Sequence, residues 1–437
     1  MTRHNRWSWW PHLVCLLPII LFLVLTVSEV RLPLLLLPVA VLLCCLAMAY
    51  LMADACHPGH AARPPRRPSA GGVAPAPPAV PDGLGDVFRV DAADRVGDAV
   101  VLRGELLVPP EEAFGRLEAR FAGTGLAPFL QRGADGRPVV LLAPAADPPA
   151  DADRPWLNVL LLGLTLAATA AAGARHAGAD LWREPGRVVE GLAYAVPLLL
   201  VLGVHELGHY LAARHHRLAV SLPYFIPVPF GLGTFGAFIR MRGLPADRRA
   251  LFDVAAAGPL AGLAVAVPLL WWGLGHSTAV PAAEGGTYPG SSVLLAVIAE
   301  LAGPVSAGGQ HLRLHPAAFA GWLGVMITAL NLLPVGQLDG GHAADGLLGR
   351  AGGTLASGVA LFALLFLGLF VWGGLLGWAV LAYLLAGAKG VPPRNDLSPV
   401  GPGRWAAGVF LFAVLVLALA PLPQRLADAL GLRCPYL

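Results

Sequence analysis

Two imidazoles and a carboxylate fall within five consecutive residues, His205-Glu206-Leu207-Gly208-His209, inside an otherwise apolar run. On a helix of 3.6 residues per turn the i, i+4 spacing puts both imidazoles on one face, where they can share a metal at about 2.0–2.1 Å. Glu206 stands beside the first imidazole, next to the coordination position left open. Such a carboxylate can take a proton from water that zinc has acidified to a pKa of about 7. With 13 histidines and 27 acidic residues in 437 positions, chance would place this pattern in roughly 2% of such chains. The competing reading is a polar network that only stabilises a helix bundle. Three ionisable groups in an apolar helix are a costly way to build one, and by default they mark a functional site.

Catalytic zinc usually takes three protein ligands and keeps a fourth position for water, so a third ligand must come from elsewhere. Asp339 follows Asn331-Leu332-Leu333-Pro334-Val335-Gly336-Gln337-Leu338 and precedes Gly340-Gly341. Pro334 removes a backbone donor and the glycines permit unusual dihedrals, so a helix should break there and let the aspartate turn inward. Asp253 is the competitor, but it follows an Arg-rich loop and is expected to pair with Arg248 or Arg249. His215 and His216 are expected at the membrane interface, and His342 on an exposed turn rather than behind the ligands.

These residues need spanning helices to hold them. The chain is 56% hydrophobic and 13% charged, with a mean hydropathy of +0.66, against roughly one-quarter charged residues in soluble domains. Its solvent is mostly lipid. Net charge is only +3 and no basic run is interleaved with aromatics, which speaks against a nucleic-acid partner. The cysteines Cys15, Cys44, Cys45, Cys56 and Cys434 lack the spacing of a disulfide framework or a Cys-ligated zinc. Apolar stretches of about 20 residues predict spans at Leu32–Met52, Trp156–Gly173, Val188–Ala212, Val254–Leu274, Ala317–Leu333 and Trp405–Ala420. Leu13–Val27 is short for a span, and Leu355–Leu385 would hold one tilted helix or two broken at Gly373 and Gly374.

The expectation is a multi-pass α-helical membrane protein of about eight or nine spans with a small α+β soluble domain near the N-terminus. Residues 1–53 read as a retained membrane hairpin and 54–85 as a Pro/Ala/Gly-rich linker. Residues 86–145 form the separate soluble domain, with strands at Ala99–Leu107, Pro128–Arg132 and Pro138–Ala143 and a helix at Glu111–Ala122. Residues 156–422 carry the chemistry, and 423–437 are a tail. Six arginines between Ala213 and Ala250, against only Arg313 between Gly275 and His315, put the first loop on the cytoplasmic side. The apolar run Val293–Ala299 reads as a short interfacial helix.

His205-Glu-Leu-Gly-His209, with Asn331-Leu-Leu-Pro334 and Leu338-Asp339-Gly340, resembles the paired motifs of the site-2 protease family of intramembrane zinc metalloproteases, matching at every defining position. Gly233-Thr-Phe-Gly-Ala-Phe-Ile239, Ala257-Gly-Pro-Leu-Ala-Gly262 and Asn395-Asp-Leu-Ser-Pro399 resemble its plant and cyanobacterial branch, which carries a soluble N-terminal region and no peptide-binding insert. The resemblance covers roughly residues 98–420 and is strongest over 188–345. It implies one Zn2+ per chain held by His205, His209 and Asp339, with Glu206 activating water. It also implies that the segment containing Gly233, Thr234, Phe235 and Gly236 lies near the site as an extended edge. Adding an unwound transmembrane substrate there as a strand would expose one of its peptide bonds. Asn331 either hydrogen-bonds a developing oxyanion, orients a ligand, or simply caps and packs its helix.

The activity so implied is cleavage of membrane proteins in the plane of a bacterial-type cell membrane, with the site toward the cytoplasmic side, in regulated proteolysis. Two other classes fit the ligand set. A non-haem iron enzyme also uses two histidines and a carboxylate, but leaves Glu206 without a task. A transporter or metal-binding scaffold would use the same buried charges as a pathway, yet such proteins often repeat their broken helices, and only one broken acidic segment is present.

Overall fold

The computed structural model describes residues 84–133, 135–145, 154–281, 292–302, 310–370, 375, 376, 379, 382 and 392–420. The expected hairpin at 1–53, nearly all of the linker, the five cysteines and the tail lie outside the described residues, as does most of the stretch 371–385.

A small α+β unit comes first. Strands β1 (Phe88–Val96), β2 (Ala99–Leu106), β3 (Leu126–Arg132) and β4 (Pro138–Pro144) form an antiparallel sheet in the order β1-β2-β4-β3. Helix α1 (Pro110–Phe121) lies across it, with Glu111 and Glu112 in its first turn, where the helix dipole favours negative charge. Its buried stripe of Ala113, Phe114, Leu117 and Phe121 packs on Leu102, Leu130, Val140 and Leu142, and Leu84 closes the same core. The additional strand β1 is an edge strand with a bulge between Val90 and Ala92 and mostly exposed polar residues, a pattern that blunts an open edge.

The apolar part is helical. Helix α2 (Pro155–His176) is followed by a 3-10 turn (Pro185–Gly191), α3 (Leu192–His215), the hairpin β5 (Tyr224–Pro227) and β6 (Thr234–Phe238), and α4 (Arg248–Gly275). Next come β7 (Thr278–Pro281) and β8 (Gln310–Arg313), paired antiparallel, with α5 (Val293–Ala302) between them in sequence. Helices α6 (Pro316–Asn331), α7 (Asp339–Phe370) and α8 (Pro402–Leu419) complete the described chain. Among the described residues, five helical segments are long and apolar enough to cross a membrane, at Pro155–His176, Pro185–His215, Arg248–Gly275, Asp339–Phe370 and Pro402–Leu419. The expected span Ala317–Leu333 is α6, a shorter apolar helix of 16 residues.

Helix α4 is the central post, packed against α3, α6 and α7. Glycine makes the approach to α6 close. A methyl group on Gly273 would lie 2.3 Å from the Ala318 nitrogen, and one on Gly321 2.5 Å from the Leu270 nitrogen. Small residues of this kind let helix backbones gain dispersion contact where lipid offers no hydrophobic driving force. On α7 the opposite holds, and Leu355, Val359, Phe362, Phe366 and Phe370 are exposed along an outward face. Helix α7 also breaks at Gly349, whose φ of 71° is a conformation that side chains rarely adopt. Arg248 donates to the carbonyls of Gly346 at 2.8 Å and Leu347 at 2.5 Å, satisfying the end of the first piece.

The α+β unit is joined to the helical part by backbone pairing. Leu130 of β3 bridges Asn395 in parallel, and Asn395 bridges Asp247 in parallel. The Leu130 amide donates to the Arg394 carbonyl and the Asp396 amide returns to the Leu130 carbonyl, each at 2.8 Å. On the other side, the Arg394 and Asn395 amides donate to the carbonyls of Pro245 and Ala246 at 2.8 and 2.9 Å. Asp247 then caps α4, its carboxylate accepting from the Ala250 amide at 2.8 Å.

Candidate metal centre

His205 and His209 project from α3 one turn apart, and Asp339 enters as the first residue of α7. The chain between α6 and α7 folds tightly enough that a methyl group on Gly340 would lie 1.9 Å from the Leu332 carbonyl oxygen. The helix break expected around Pro334 is there, and it delivers the aspartate to the two imidazoles. The Nε2 atoms of the two histidines are 3.1 Å apart, and each is 3.2 Å from Asp339 Oδ2. Both imidazoles are buried, and the three side chains form a compact group of potential metal ligands.

The donor chemistry of this triangle can be tested against zinc. His209 Nδ1 donates to the Val254 carbonyl at 2.7 Å, which leaves Nε2 of the neutral ring as a lone pair facing the triangle. A carboxylate oxygen offers only lone pairs as well. Acceptors that converge in a buried site require a cation between them. Tetrahedral ligands about 2.0–2.1 Å from zinc stand roughly 3.3 Å from one another, close to the separations found here. The residues present therefore fit zinc.

Helix α4 shapes the pocket from the other side. A methyl group on Gly258 would fall 2.1 Å from His209 Nε2, and one on Gly262 would fall 3.0 Å from His205 Nδ1. The Val254 carbonyl and these two glycines lie at four-residue intervals, on one face of α4. Their contribution was visible in the sequence only as the resembled segment Ala257–Gly262. What could have found it is the rule that small residues mark close approach.

Glu206 is buried, with the backbone amide of Ile239 close to its carboxylate. That amide lies just past β6, so the strand and the carboxylate share one wall. Thr234 is buried in β6, and its hydroxyl donates to the Ile226 carbonyl at 2.9 Å while accepting from the Gly236 amide at 3.0 Å. Gly236 has φ 105°, a conformation side chains rarely adopt. Phe235 points outward. Gly233 lies in the turn before β6, its Cα against the α2 backbone at Thr169. The β5-β6 sheet has two strands, so among the described residues the outer edge of β6 pairs with no third strand. Asn331 is the last residue of α6 and is half-buried.

Two other expectations are corrected. Asp253 pairs with neither Arg248 nor Arg249. It takes a two-pronged contact from Arg404, at 2.7 Å for both prongs, and a 2.9 Å contact from His216. Arg248 is occupied by the α7 carbonyls, and Arg249 by Glu111 and the Pro399 carbonyl. His342 lies within α7 rather than on an exposed turn, and its Nδ1 is buried without a hydrogen-bond partner.

Residues 193–372 match Peptidase family M50. The chain is 36% identical over 252 residues to "Probable zinc metalloprotease EGY1, chloroplastic" of Oryza sativa subsp. japonica, covering 56% of this chain and 43% of that protein. It is 35% identical over 249 residues to the protein of the same name from Arabidopsis thaliana, covering 55% and 44%. To "Probable zinc metalloprotease EGY2, chloroplastic" of Arabidopsis thaliana it is 28% identical over 355 residues, covering 77% and 63%. The chain thus spans less than half the length of the first two relatives and under two thirds of the third. No solved structure matches significantly. With the His205, His209 and Asp339 triangle falling inside the matched segment, the chain carries a Peptidase family M50 domain and is homologous to plant zinc metalloproteases.

Proposed function

We propose that this protein is an intramembrane zinc metalloendopeptidase, with His205, His209 and Asp339 holding one zinc and Glu206 as general base. The observation that carries the reading is the convergence of two buried imidazoles and the half-buried Asp339 carboxylate beside the buried carboxylate of Glu206. Bound zinc would supply a Lewis acid and an acidified water. Glu206 would accept the proton of the attacking water at its carboxylate and pass it to the leaving amine. That role gives Glu206 a task that the non-haem iron reading lacks, and the Ile239 amide lies beside its carboxylate. The Val254 carbonyl fixes the His209 ring. Asn331 is proposed as a donor to the developing oxyanion.

The substrate is proposed to be a transmembrane protein, unwound beside the free edge of β6 so that its backbone pairs with Thr234–Phe238. His205 lies ten residues from the end of α3, which is about 15 Å along the axis, so the chemistry belongs below the membrane surface. The Arg-rich stretch 213–250 supports an active site facing the cytoplasmic side of a cell membrane, in regulated proteolysis; the relatives are named chloroplastic. The test is cleavage of single-span substrates by purified protein in liposomes, comparing wild type with Glu206→Gln at equal zinc content. Loss of cleavage in the variant supports the reading, and equal cleavage by both refutes the assigned base.

A further inference from the structure

We infer that Arg394 and Asn395 are positioning residues of the metal centre, locking the soluble α+β unit to the base of α4 so that the unit sets the geometry of the site. The inference rests on the proposed metal site, and on the proposed catalysis only for its kinetic readout.

Backbone pairing runs from the soluble sheet to the base of α4. Residues 394–396 lie between β3 and residues 245–247, bonded through backbone amides on both sides. Asp247, the last residue of that second strand, is the cap of α4. Seven residues on, Val254 receives His209 Nδ1, and Gly258 faces the same ring. Arg248 meanwhile holds the first piece of α7, which begins with Asp339. A displacement of the α4 base therefore reaches His209 through the Val254 carbonyl, and through the Arg248 side chain it reaches the piece of α7 that starts with Asp339. Bond geometry makes this consequential, because misplacement by about 1 Å can cost on the order of 100-fold in rate.

Side chains reinforce the joint beyond what a tether needs. Arg394 pairs with Glu118 of α1 at 2.6 Å and lies over the Phe114 ring at 5.2 Å. Asn395 is buried, donating to the Pro110 carbonyl at 3.2 Å and to Ser398 Oγ at 2.6 Å, and accepting from the Leu397 amide at 3.0 Å. Gln131 donates to the Pro393 carbonyl at 2.7 Å, Arg249 pairs with Glu111, and Leu397 packs on the soluble core. A spacer would not need a buried, fully bonded asparagine shared between two units. A shared structural element that must hold register does.

The test uses the full chain, with Glu118→Arg, an exposed helix position that leaves the soluble core intact, and Asn395→Ala as the second variant. Hydrogen exchange reads the amides of Leu130, Asn395 and Asp396 at the joint and of Leu251 in the first turn of α4. Cobalt(II) substituted at the centre reads ligand geometry through its visible absorption. Both variants are expected to exchange at least tenfold faster at these amides, to shift the cobalt bands, and to lower kcat about tenfold with KM unchanged. Adding Arg394→Glu to Glu118→Arg should restore all three. Faster exchange at the joint with unaltered cobalt bands and kcat would reduce it to a tether and overturn the inference. Unchanged exchange in either variant would overturn the role of the residue it probes. If wild type cuts no substrate, the proposed function fails, while exchange at Leu251 and the cobalt bands still decide this inference.

Discussion

Gly258 of α4 stands against the imidazole of His209, so close that a methyl group in place of its hydrogen would lie 2.1 Å from Nε2. The nitrogen in question is the one that faces Asp339 and His205. Gly258→Ala is therefore expected to push the ring out of the triangle, with at least a tenfold loss of zinc affinity and a comparable loss of cleavage. Gly262→Ala should be milder, because its methyl meets His205 Nδ1 and Cβ only at 3.0 and 3.2 Å. Competition with a chelator of known affinity ranks the two variants, and the reverse ranking would sink the geometry.

Asp339 brings the negative charge to an otherwise neutral ligand set. Asp339→Asn keeps the shape and removes the charge, and zinc affinity should fall by more than about 100-fold, beyond the 10–100-fold typical of residues that only orient ligands. Equilibrium dialysis against zinc would read this directly, without a substrate.

Breaking the Asp253 cluster should cost stability rather than chemistry. Asp253→Ala strands both Arg404 and His216. Loss of one partner of a buried pair costs about 3–5 kcal/mol, reduced here to about 1–3 kcal/mol because both groups keep some contact with solvent. Thermal unfolding in detergent should shift down while zinc affinity at low temperature stays within twofold of wild type.

Burial holds the Asp396 carboxyl above its ordinary value, against the pull of Arg248, Arg350 and Arg132. Its Oδ1 has no hydrogen-bond partner. A carboxyl whose folded pKa exceeds its unfolded value costs stability as pH rises from the unfolded pKa through the folded one. The cost is absent well below pH 4 and fully present above the raised value. Asp396→Asn should therefore raise the melting temperature at about pH 8 and leave it unchanged near pH 3. A gain of equal size at both ends would contradict the assignment.

The three side chains that converge in the triangle were legible because their signals are local or chemically rare. A His-x-x-x-His pair needs only helical spacing, and an aspartate at a Pro/Gly break in an apolar run is too costly to keep unless it serves a site. The stripe of Phe114, Leu117 and Phe121 was equally plain, being a period of one helix. What could not be read was pairing between distant backbone segments. Leu130, Asp247 and Asn395 meet through amides and carbonyls, which every residue carries, so no side-chain pattern announces them. Strand β1 was hidden for a related reason, since an exposed edge rich in Asp and Arg lacks the alternation that reveals a half-buried strand. The partners of Asp253 were misread because proximity in sequence favoured Arg248 and Arg249, whereas the fold brings in Arg404 from 151 positions away.

The break at Gly349 gives α7 two mechanical fates. Its first ten residues, starting with Asp339, are fastened to α4 by Arg248, while the remaining twenty-one, up to Phe370, present an apolar face outward. Helices meet changes in bilayer thickness by tilting. Tilt in the outer piece can be absorbed by rotation at a single glycine, without pulling on the carboxylate at the other end. Turnover measured in vesicles of short and long acyl chains is therefore expected to differ less in wild type than in a Gly349→Ala variant, whose side chain strains the joint at φ 71°.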